Sequence, residues 1–172
     1  MKISQLLHLP DYFTLLNAVS GLFAIFFAIS GDPAKSGIAP FLLFAAVVFD
    51  YLDGKIARWT GTTHAFGKEL DSLADTVSFG VAPAVLGFVA LEKTKLAFLL
   101  LAFFVCCGIL RLARFNISQA TKKGVYEGVP ITTNGLVFPL LYLFGAPSFM
   151  YLVAYGIMGL LMISNIRIKK MI

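Results

Sequence analysis

Residues 50–75 read DYLDGKIARWTGTTHAFGKELDSLAD and contain four aspartates, which are Asp50, Asp53, Asp71 and Asp75. Apolar runs flank this stretch on both sides, over residues 37–49 and 76–91. Two helices that continue into those runs would carry the four carboxylates into a membrane. Ionisable side chains are costly there and are functional candidates by default. The stretch therefore predicts a functional centre inside a membrane protein.

The composition of the whole chain supports a membrane protein. Of the 172 residues, 59% are apolar and 13% are charged, whereas soluble domains are about 45–50% apolar and about 25% charged. A soluble globule would need more polar residues to cover its surface. These values exclude a disordered chain, a disulfide scaffold and a nucleic-acid-binding domain. The formal net charge of +5 is then interpreted as membrane topology and attraction to anionic lipid.

The apolar runs predict an all-α integral membrane protein with six transmembrane helices in a single domain of residues 1–172. A helix that crosses the membrane needs about 20 mostly apolar residues. The expected spans are 12–29, 37–59, 66–91, 95–116, 131–144 and 149–166, of which the fifth is short. Pro10 and Asp11 interrupt the chain before the first span. Residues 3–9 form either a short N-terminal interfacial helix or a frayed terminus.

The positive charges predict the orientation of these spans. With the N-terminus in the cytosol, eleven of the 14 lysines and arginines fall on the cytosolic side and three on the outer side. Cytosolic loops of membrane proteins carry such an excess. We therefore expect both termini in the cytosol, in a multi-pass protein of the cell membrane whose active site faces the cytoplasm.

The spacing of the four aspartates places them in two facing pairs. Asp50 and Asp53 are three residues apart, and Asp71 and Asp75 are four apart, so each pair shares one face of its helix. At 1.5 Å per residue, Asp53 and Asp71 lie about 8 Å and about 6 Å from the cytosolic helix ends, and the other two lie about 12 Å deep. Because the helices are antiparallel, we expect Asp50 opposite Asp75 and Asp53 opposite Asp71.

Four buried carboxylates need positive partners, and no lysine or arginine of these two helices lies deep enough to neutralise them all. Oxygen-only ligand sets suit Mg²⁺, Mn²⁺ or Ca²⁺, and four aspartates could bridge two such ions. Partly protonated carboxyl groups are one alternative, and a carboxylate-lined cation transporter is another. Small residues on the cytosolic side favour a bulky polar ligand, although helix packing also uses small residues. His8 and His64 are interpreted as isolated histidines that form no metal motif.

The full pattern resembles the signature of the CDP-alcohol phosphotransferase family. The matching positions are Asp50, Asp53, Gly54, Ala57, Arg58, Gly67, Asp71 and Asp75. Residues 14–21, TLLNAVSG, are similar to the weaker first-helix pattern of that family. The resemblance implies transfer of a phosphate-bearing alcohol from a CDP-linked donor to a second alcohol, with release of CMP. It also implies a homodimer.

The same resemblance implies a role for each matching residue. The four aspartates would hold two divalent cations, Mg²⁺ or Mn²⁺, and Asp75 would also act as the general base. The CDP-lipid would be bound by Thr14, Asn17, Gly54, Ala57, Arg58 and Gly67. Among these, Gly54 would allow close approach of the nucleotide, Arg58 would contact the diphosphate, and Asn17 would lie near the cytidine.

Residues 67–84 and 111–116 resemble the phosphatidylserine synthase branch of the family. This implies L-serine as the acceptor and CDP-diacylglycerol or CDP-archaeol as the donor. Arg111 and Arg114 are candidates for the serine carboxylate, or alternatively snorkel to the interface. Arg111 is preferred for the carboxylate because it lies about 4.5 Å deeper along the helix axis. Asn116 would bind the serine ammonium or cap its helix. Glycerol phosphate or an inositol compound remains an alternative acceptor, but a phosphorylated acceptor would need a denser basic cluster.

Overall fold

The computed structural model describes residues 3, 6–92, 94–119 and 125–169. Helices occur at all six positions where the sequence predicts a span. The helices are α1 Leu9–Ala28, α2 Pro33–Ser36, α3 Ala39–Thr60, α4 Ala65–Asp75, α5 Ala82–Ala90, α6 Lys95–Gln119, α7 Asn134–Leu143 and α8 Ser148–Ile163. A π-helical turn, Thr76–Val81, joins α4 to α5, and a 3₁₀ turn, Ile131–Thr133, precedes α7. The strands β1 Val125–Glu127 and β2 Arg167–Lys169 form an antiparallel pair, which the all-α prediction did not include.

Four helical segments of the described chain are long and apolar enough to cross a membrane. They are Leu9–Ala28, Pro33–Thr60, Ala65–Ala90 and Lys95–Ile117. The last two apolar segments, Ile131–Leu143 and Ser148–Ile163, are shorter. At 1.5 Å per residue, the first of these rises only about 20 Å, against a hydrocarbon core of about 30 Å. The structure thus supports a membrane protein with four spans by length, and six spans stay a prediction.

Helix α1 begins at Leu9, three residues before the predicted start, because its first turn accommodates both Pro10 and Asp11. A proline in the first helical turn loses no hydrogen bond, since the N–H groups there have no intrahelical partner. Asp11 accepts a 2.7 Å hydrogen bond from the backbone N–H of His8, which caps the helix start. Of the expected interfacial segment 3–9, residues 4 and 5 lie outside the described residues, and Leu9 already belongs to α1.

The third predicted span is one continuous helical rod that contains the π-helical turn. Pro83 has no N–H, so the carbonyl of Phe79 lacks the donor that an α-helix would give it. The side-chain amide of Asn134, on α7, donates to that carbonyl at 3.1 Å. A buried carbonyl is costly to leave without a partner, and this bond therefore couples α7 to the turn.

The π-helical turn is also where α1 docks. Ser78 donates a 2.9 Å hydrogen bond to the backbone carbonyl of Asn17. Gly21 lies against Ser78 so closely that a Cβ atom at residue 21 would collide with its backbone and side chain. Close approach of this kind is a common reason for glycine in a membrane helix. It brings the polar side chains of α1 to the level of the aspartates.

Aromatic packing holds the remaining helices behind the site. Phe138 and Tyr155 stack with ring centroids 3.8 Å apart, and Phe104 meets both rings edge-on. All three side chains are fully buried. The Tyr155 hydroxyl donates to the carbonyl of Pro83 at 2.6 Å, which satisfies the one polar atom in the cluster. The cluster joins α6, α7 and α8 to the start of α5.

Candidate active site

The four aspartates of α3 and α4 come together as the helical spacing predicts. Carboxylate oxygens of Asp50, Asp53 and Asp71 all lie within 4.8 Å of one another. Asp75 meets the group from one side, where its carboxyl group contacts that of Asp50. The arrangement is therefore three clustered carboxylates with a fourth beside them, rather than four equivalent ligands.

Two side chains of α1 hold these aspartates in place. The Thr14 hydroxyl donates to Oδ2 of Asp53 at 2.7 Å, and the Asn17 amide donates to Oδ1 of Asp75 at 3.1 Å. Thr14 and Asn17 are themselves buried. Sequence reasoning placed both in the CDP-lipid site. Here both side chains donate to carboxylates, and Thr14 also lines the smaller of two cavities beside the cluster. Such outer hydrogen bonds fix the rotamers of metal-binding groups.

The chemistry of this cluster fits a hard divalent cation. Its donors are carboxylate oxygens, which Mg²⁺ and Mn²⁺ prefer. Oδ1 of Asp71 is buried and has no hydrogen-bond partner among the described residues. A buried carboxylate oxygen without a partner is costly, and a bound cation would satisfy it. Arg111 approaches from α6 and interacts electrostatically with Asp50 and Asp71.

Two adjoining cavities open next to the aspartates. The smaller, of about 150 Å³, lies between α1, α3 and α4, and the larger, of about 760 Å³, extends toward α6. The smaller cavity is lined by the signature residues Gly54, Ala57, Arg58 and Gly67, among others. Arg58 and Lys68 line both cavities. A polar ligand that fills these cavities would lie directly against Asp53 and Asp71.

The two signature glycines make room for side chains of this chain as well as for a ligand. A Cβ atom at Gly54 would lie 3.2 Å from Nη1 of Arg58. A Cβ atom at Gly67 would lie 3.0 Å from both Oδ1 of Asp11 and Nε2 of His64. Gly67 therefore lets two polar side chains approach the start of α4.

The interpretation of His8 and His64 as isolated histidines is wrong, because α1 and α4 bring both to Asp11. Nε2 of His64 lies 3.3 Å from Oδ2 of Asp11, and Nδ1 of His8 lies 4.0 Å from the same oxygen. The three groups are near enough to hold a metal ion. The sequence gives no short-range signal for this cluster, since His64 is 53 residues from Asp11 and they meet only when the helices dock.

The three residues expected to bind serine occupy different environments. Arg111 is buried and lies over the ring of Phe115 at 5.0 Å. Asn116 and Ser72 exchange hydrogen bonds at 3.0 and 3.2 Å, which ties α6 to α4. Asn116 also lines the larger cavity. Of these residues, Arg111 and Asn116 lie beside the aspartates and the cavity.

Arg114 points away from the cavity residues and binds the end of α8. Its guanidinium donates to the backbone carbonyls of Met162, Ile163, Ser164 and Glu127 and to the side chain of Asn165, at 2.9–3.3 Å. These contacts use the donors that a serine carboxylate would need. The arrangement favours a structural role for Arg114 over the expected contact with substrate.

Known proteins resemble this chain over most of its length. The chain is 42% identical over 149 residues to the CDP-diacylglycerol–serine O-phosphatidyltransferase of Saccharomyces cerevisiae, a match that covers 79% of this chain and 54% of the relative. It is 42% identical over 147 residues to the archaetidylserine synthase of Methanothermobacter thermautotrophicus, covering 84% and 61%. A CDP-diacylglycerol–serine O-phosphatidyltransferase of Methanocaldococcus jannaschii is 40% identical over 172 residues, covering 98% and 77%.

The chain thus spans slightly more than half of the length of the first two relatives. A family model described as CDP-alcohol phosphatidyltransferase matches residues 7–166. That range contains the aspartate cluster, the α1 residues that hold it and both cavities. The chain belongs to the CDP-alcohol phosphatidyltransferase family.

Proposed function

We propose that this protein transfers a phosphatidyl or archaetidyl group from a CDP-linked lipid to the hydroxyl of L-serine and releases CMP. The observation that carries the proposal is the carboxylate cluster of Asp50, Asp53 and Asp71 beside a cavity that Arg58 lines. The names of the relatives support serine as acceptor. Family membership favours this reaction over cation transport.

The cofactors proposed are two divalent cations, Mg²⁺ or Mn²⁺, held by Asp50, Asp53, Asp71 and Asp75. When bound, they would neutralise the donor diphosphate and the leaving CMP. The protein side chains supply the alignment. Thr14 and Asn17 fix the carboxylates, and the cavity beside Gly54, Ala57 and Gly67 receives the nucleotide. Arg58 binds the diphosphate as a charge-assisted donor.

The proposed reaction makes one bond and breaks one. The serine hydroxyl oxygen bonds to the phosphorus that carries the lipid alcohol, and the bond from that phosphorus to the CMP oxygen breaks. The serine proton passes to Asp75, which acts as general base. The contact of Asp75 with Asp50, beside the cluster, supports this role, and in the proposed topology Asp75 lies toward the membrane-buried end of the site. The lipid tails extend sideways into the bilayer.

Acceptor binding is assigned to α6. Arg111 would bind the serine carboxylate through a buried charge-assisted hydrogen bond, and its place beside Asp50 and Asp71 supports this. Asn116, at the larger cavity, would contact the serine ammonium through its side-chain oxygen. Arg114 is assigned to holding α8 and not to substrate.

The proposal includes a membrane arrangement. The chain would form a single domain of residues 1–172 with six spans and both termini in the cytosol. It would lie in the cell membrane as a homodimer, surrounded by membrane lipid, with the site open to the cytoplasm. The fifth and sixth spans would be short and would require local thinning of the bilayer or snorkelling of flanking residues to match its thickness.

The test of the proposed function is CMP release by the purified chain in detergent–lipid micelles. CDP-diacylglycerol and CDP-archaeol are each combined with L-serine, glycerol 3-phosphate or myo-inositol, with Mg²⁺ or Mn²⁺ present. We expect CMP release and formation of a serine lipid only with L-serine. CMP release with another acceptor and none with L-serine would show that the acceptor assignment is wrong and that the reaction class is correct.

A further inference from the structure

Asp11 is a buried carboxylate beside the cavity assigned to the donor nucleotide. Its side chain is only 3% exposed, and it lines the smaller cavity together with Arg58 and His64. It also lies close enough to Asp53 to repel it electrostatically. An anionic nucleotide entering this cavity would meet the negative charge of Asp11 at short range, where solvent screening is weak.

His64 is placed to offset that charge. Its Nδ1 accepts a 3.1 Å hydrogen bond from the backbone N–H of Gly67. Since Nδ1 must offer a lone pair to this donor, the ring hydrogen sits on Nε2. Nε2 is the atom 3.3 Å from Oδ2 of Asp11. The ring nitrogen that carries the hydrogen is therefore the one in close electrostatic contact with the carboxylate.

The same hydrogen bond argues against a metal ion in the cluster of His8, Asp11 and His64. A metal at Nε2 of His64 would need the lone pair there and would move the ring hydrogen to Nδ1. The N–H group at Nδ1 would then oppose the backbone N–H of Gly67, and the hydrogen bond between them would be lost. The described contacts thus favour a carboxylate that accepts a 2.7 Å hydrogen bond from the backbone N–H of His8 and lies 3.3 Å from Nε2 of His64.

We propose that His64 is a positioning residue for donor binding: acting through Asp11, it offsets and orients that carboxylate so that the anionic CDP group can occupy the cavity. Gly67 permits the arrangement, because a side chain there would displace Asp11 and His64. His64 also fixes the start of α4 through the Gly67 N–H. The identity of the donor as a CDP-lipid rests on the proposed function, whereas the electrostatic claim applies to any nucleoside diphosphate that binds there.

The test measures binding of CDP to the full chain in detergent, with Mg²⁺ in excess, by isothermal titration calorimetry. His64→Asn keeps a side-chain acceptor at the helix start but is too short to reach Asp11. We expect its Kd for CDP to rise about tenfold, the scale of a lost interaction with a charged group. In turnover assays, the KM for the CDP-lipid should rise similarly, with the serine KM and kcat within about twofold of wild type.

A second substitution separates an electrostatic effect of the His64 ring N–H on Asp11 from a merely structural role. In the double variant His64→Asn with Asp11→Asn, the charge that His64 offsets is gone, so the Kd should return to within about threefold of wild type. Asp11→Asn alone should also stay within about threefold. His8→Gln is a graded comparison: it retains the backbone N–H that binds Asp11 but removes a ring whose centroid lies 4.3 Å from that of His64 and whose Nδ1 lies 4.0 Å from Oδ2 of Asp11. We expect it to raise the Kd for CDP by less than His64→Asn does, because the His8 ring nitrogen is farther from the carboxylate than Nε2 of His64.

The outcomes are distinct. Unchanged CDP affinity in His64→Asn, or a double variant that binds no better than His64→Asn, would overturn the proposal. If His64→Asn does not fold, the Asp11→Asn variant tests the proposal. Removing a charge that repels CDP should not weaken binding, so a tenfold loss of CDP affinity in Asp11→Asn would contradict the proposal. Wild type that binds CDP but releases no CMP with serine would refute the proposed function alone. Wild type that binds no CDP would refute this inference.

Discussion

The side-chain amide of Asn17 donates a 3.1 Å hydrogen bond to Oδ1 of Asp75, and both side chains are buried. The bond joins α1 to the aspartate that forms the C-terminal end of α4. An amide donor favours one orientation of the carboxylate and leaves its second oxygen for another partner. Together with the bond from Thr14 to Asp53, it makes α1 the support of the aspartate cluster.

The α1 support predicts a loss of metal affinity when a donor is removed. Thr14→Val preserves the shape of the side chain but removes the hydroxyl that donates to Asp53. We expect the Kd for Mn²⁺, measured by electron paramagnetic resonance of the free ion, to rise about tenfold or more, as for outer-shell partners of other metal ligands. Thr14→Ser retains the hydroxyl and is the matched control. Equal Mn²⁺ binding by both variants would show that the hydrogen bond does not support the site.

The general-base assignment predicts a large effect on turnover with little effect on donor binding. Asp75→Asn keeps the size of the side chain but cannot accept a proton. We expect CMP release to fall by at least ~10²-fold, the usual scale for a lost general base, while CDP still binds. Chelation should abolish turnover in wild type, and Mg²⁺ or Mn²⁺ should restore it. Full activity of Asp75→Asn at saturating serine would refute the mechanism.

The loop before α4 should face the cytosol. Thr62, between α3 and α4, lines the cavity that is proposed to receive a nucleotide from the cytosol, and the positive charges of the sequence fall predominantly on the same side of the predicted spans. In a variant without native cysteines, Thr62→Cys should resist a membrane-impermeant thiol reagent added outside intact cells. Lys35→Cys, at the opposite end of α3, should react. The reverse labelling pattern would invert the orientation and contradict the proposed placement of the site.

The helical period was sufficient to predict the aspartate cluster, because side chains three or four residues apart share a face. It also predicted that Asp50 would meet Asp75, since two antiparallel helices joined by a short loop align equal depths. The helical period does not predict contacts between helices that are distant in the sequence. Thr14 and Asp53 are 39 residues apart. Their hydrogen bond depends on how α1 docks at the π-helical turn, and no local sequence pattern predicts that docking.

The roles of the arginines also required the tertiary structure. Arg111 and Arg114 are three residues apart on one helix, and the sequence offered both for the serine carboxylate, with Arg111 preferred only because it lies deeper along the helix. Burial and contacts separate them, because Arg111 approaches the aspartates while Arg114 meets the carbonyls at the end of α8. Those carbonyls lack intrahelical partners, and a guanidinium with five N–H donors can satisfy several of them at once.

The separation of these arginines leads to a paired prediction. Arg111→Gln removes the proposed partner of the serine carboxylate, a charge-assisted contact worth roughly 1.5–3 kcal/mol. We expect the serine KM to rise about 10- to 150-fold, with the KM for the CDP-lipid nearly unchanged. Arg114→Gln should instead lower Tm by about 3–10 °C, through lost hydrogen bonds at the end of α8, and leave the serine KM within about twofold. Steady-state kinetics with each substrate varied in turn, together with thermal unfolding of both variants, separates the two roles. A normal serine KM in Arg111→Gln would show that Arg111 does not bind the serine carboxylate. A raised serine KM in Arg114→Gln would show that Arg114 contributes to the acceptor site.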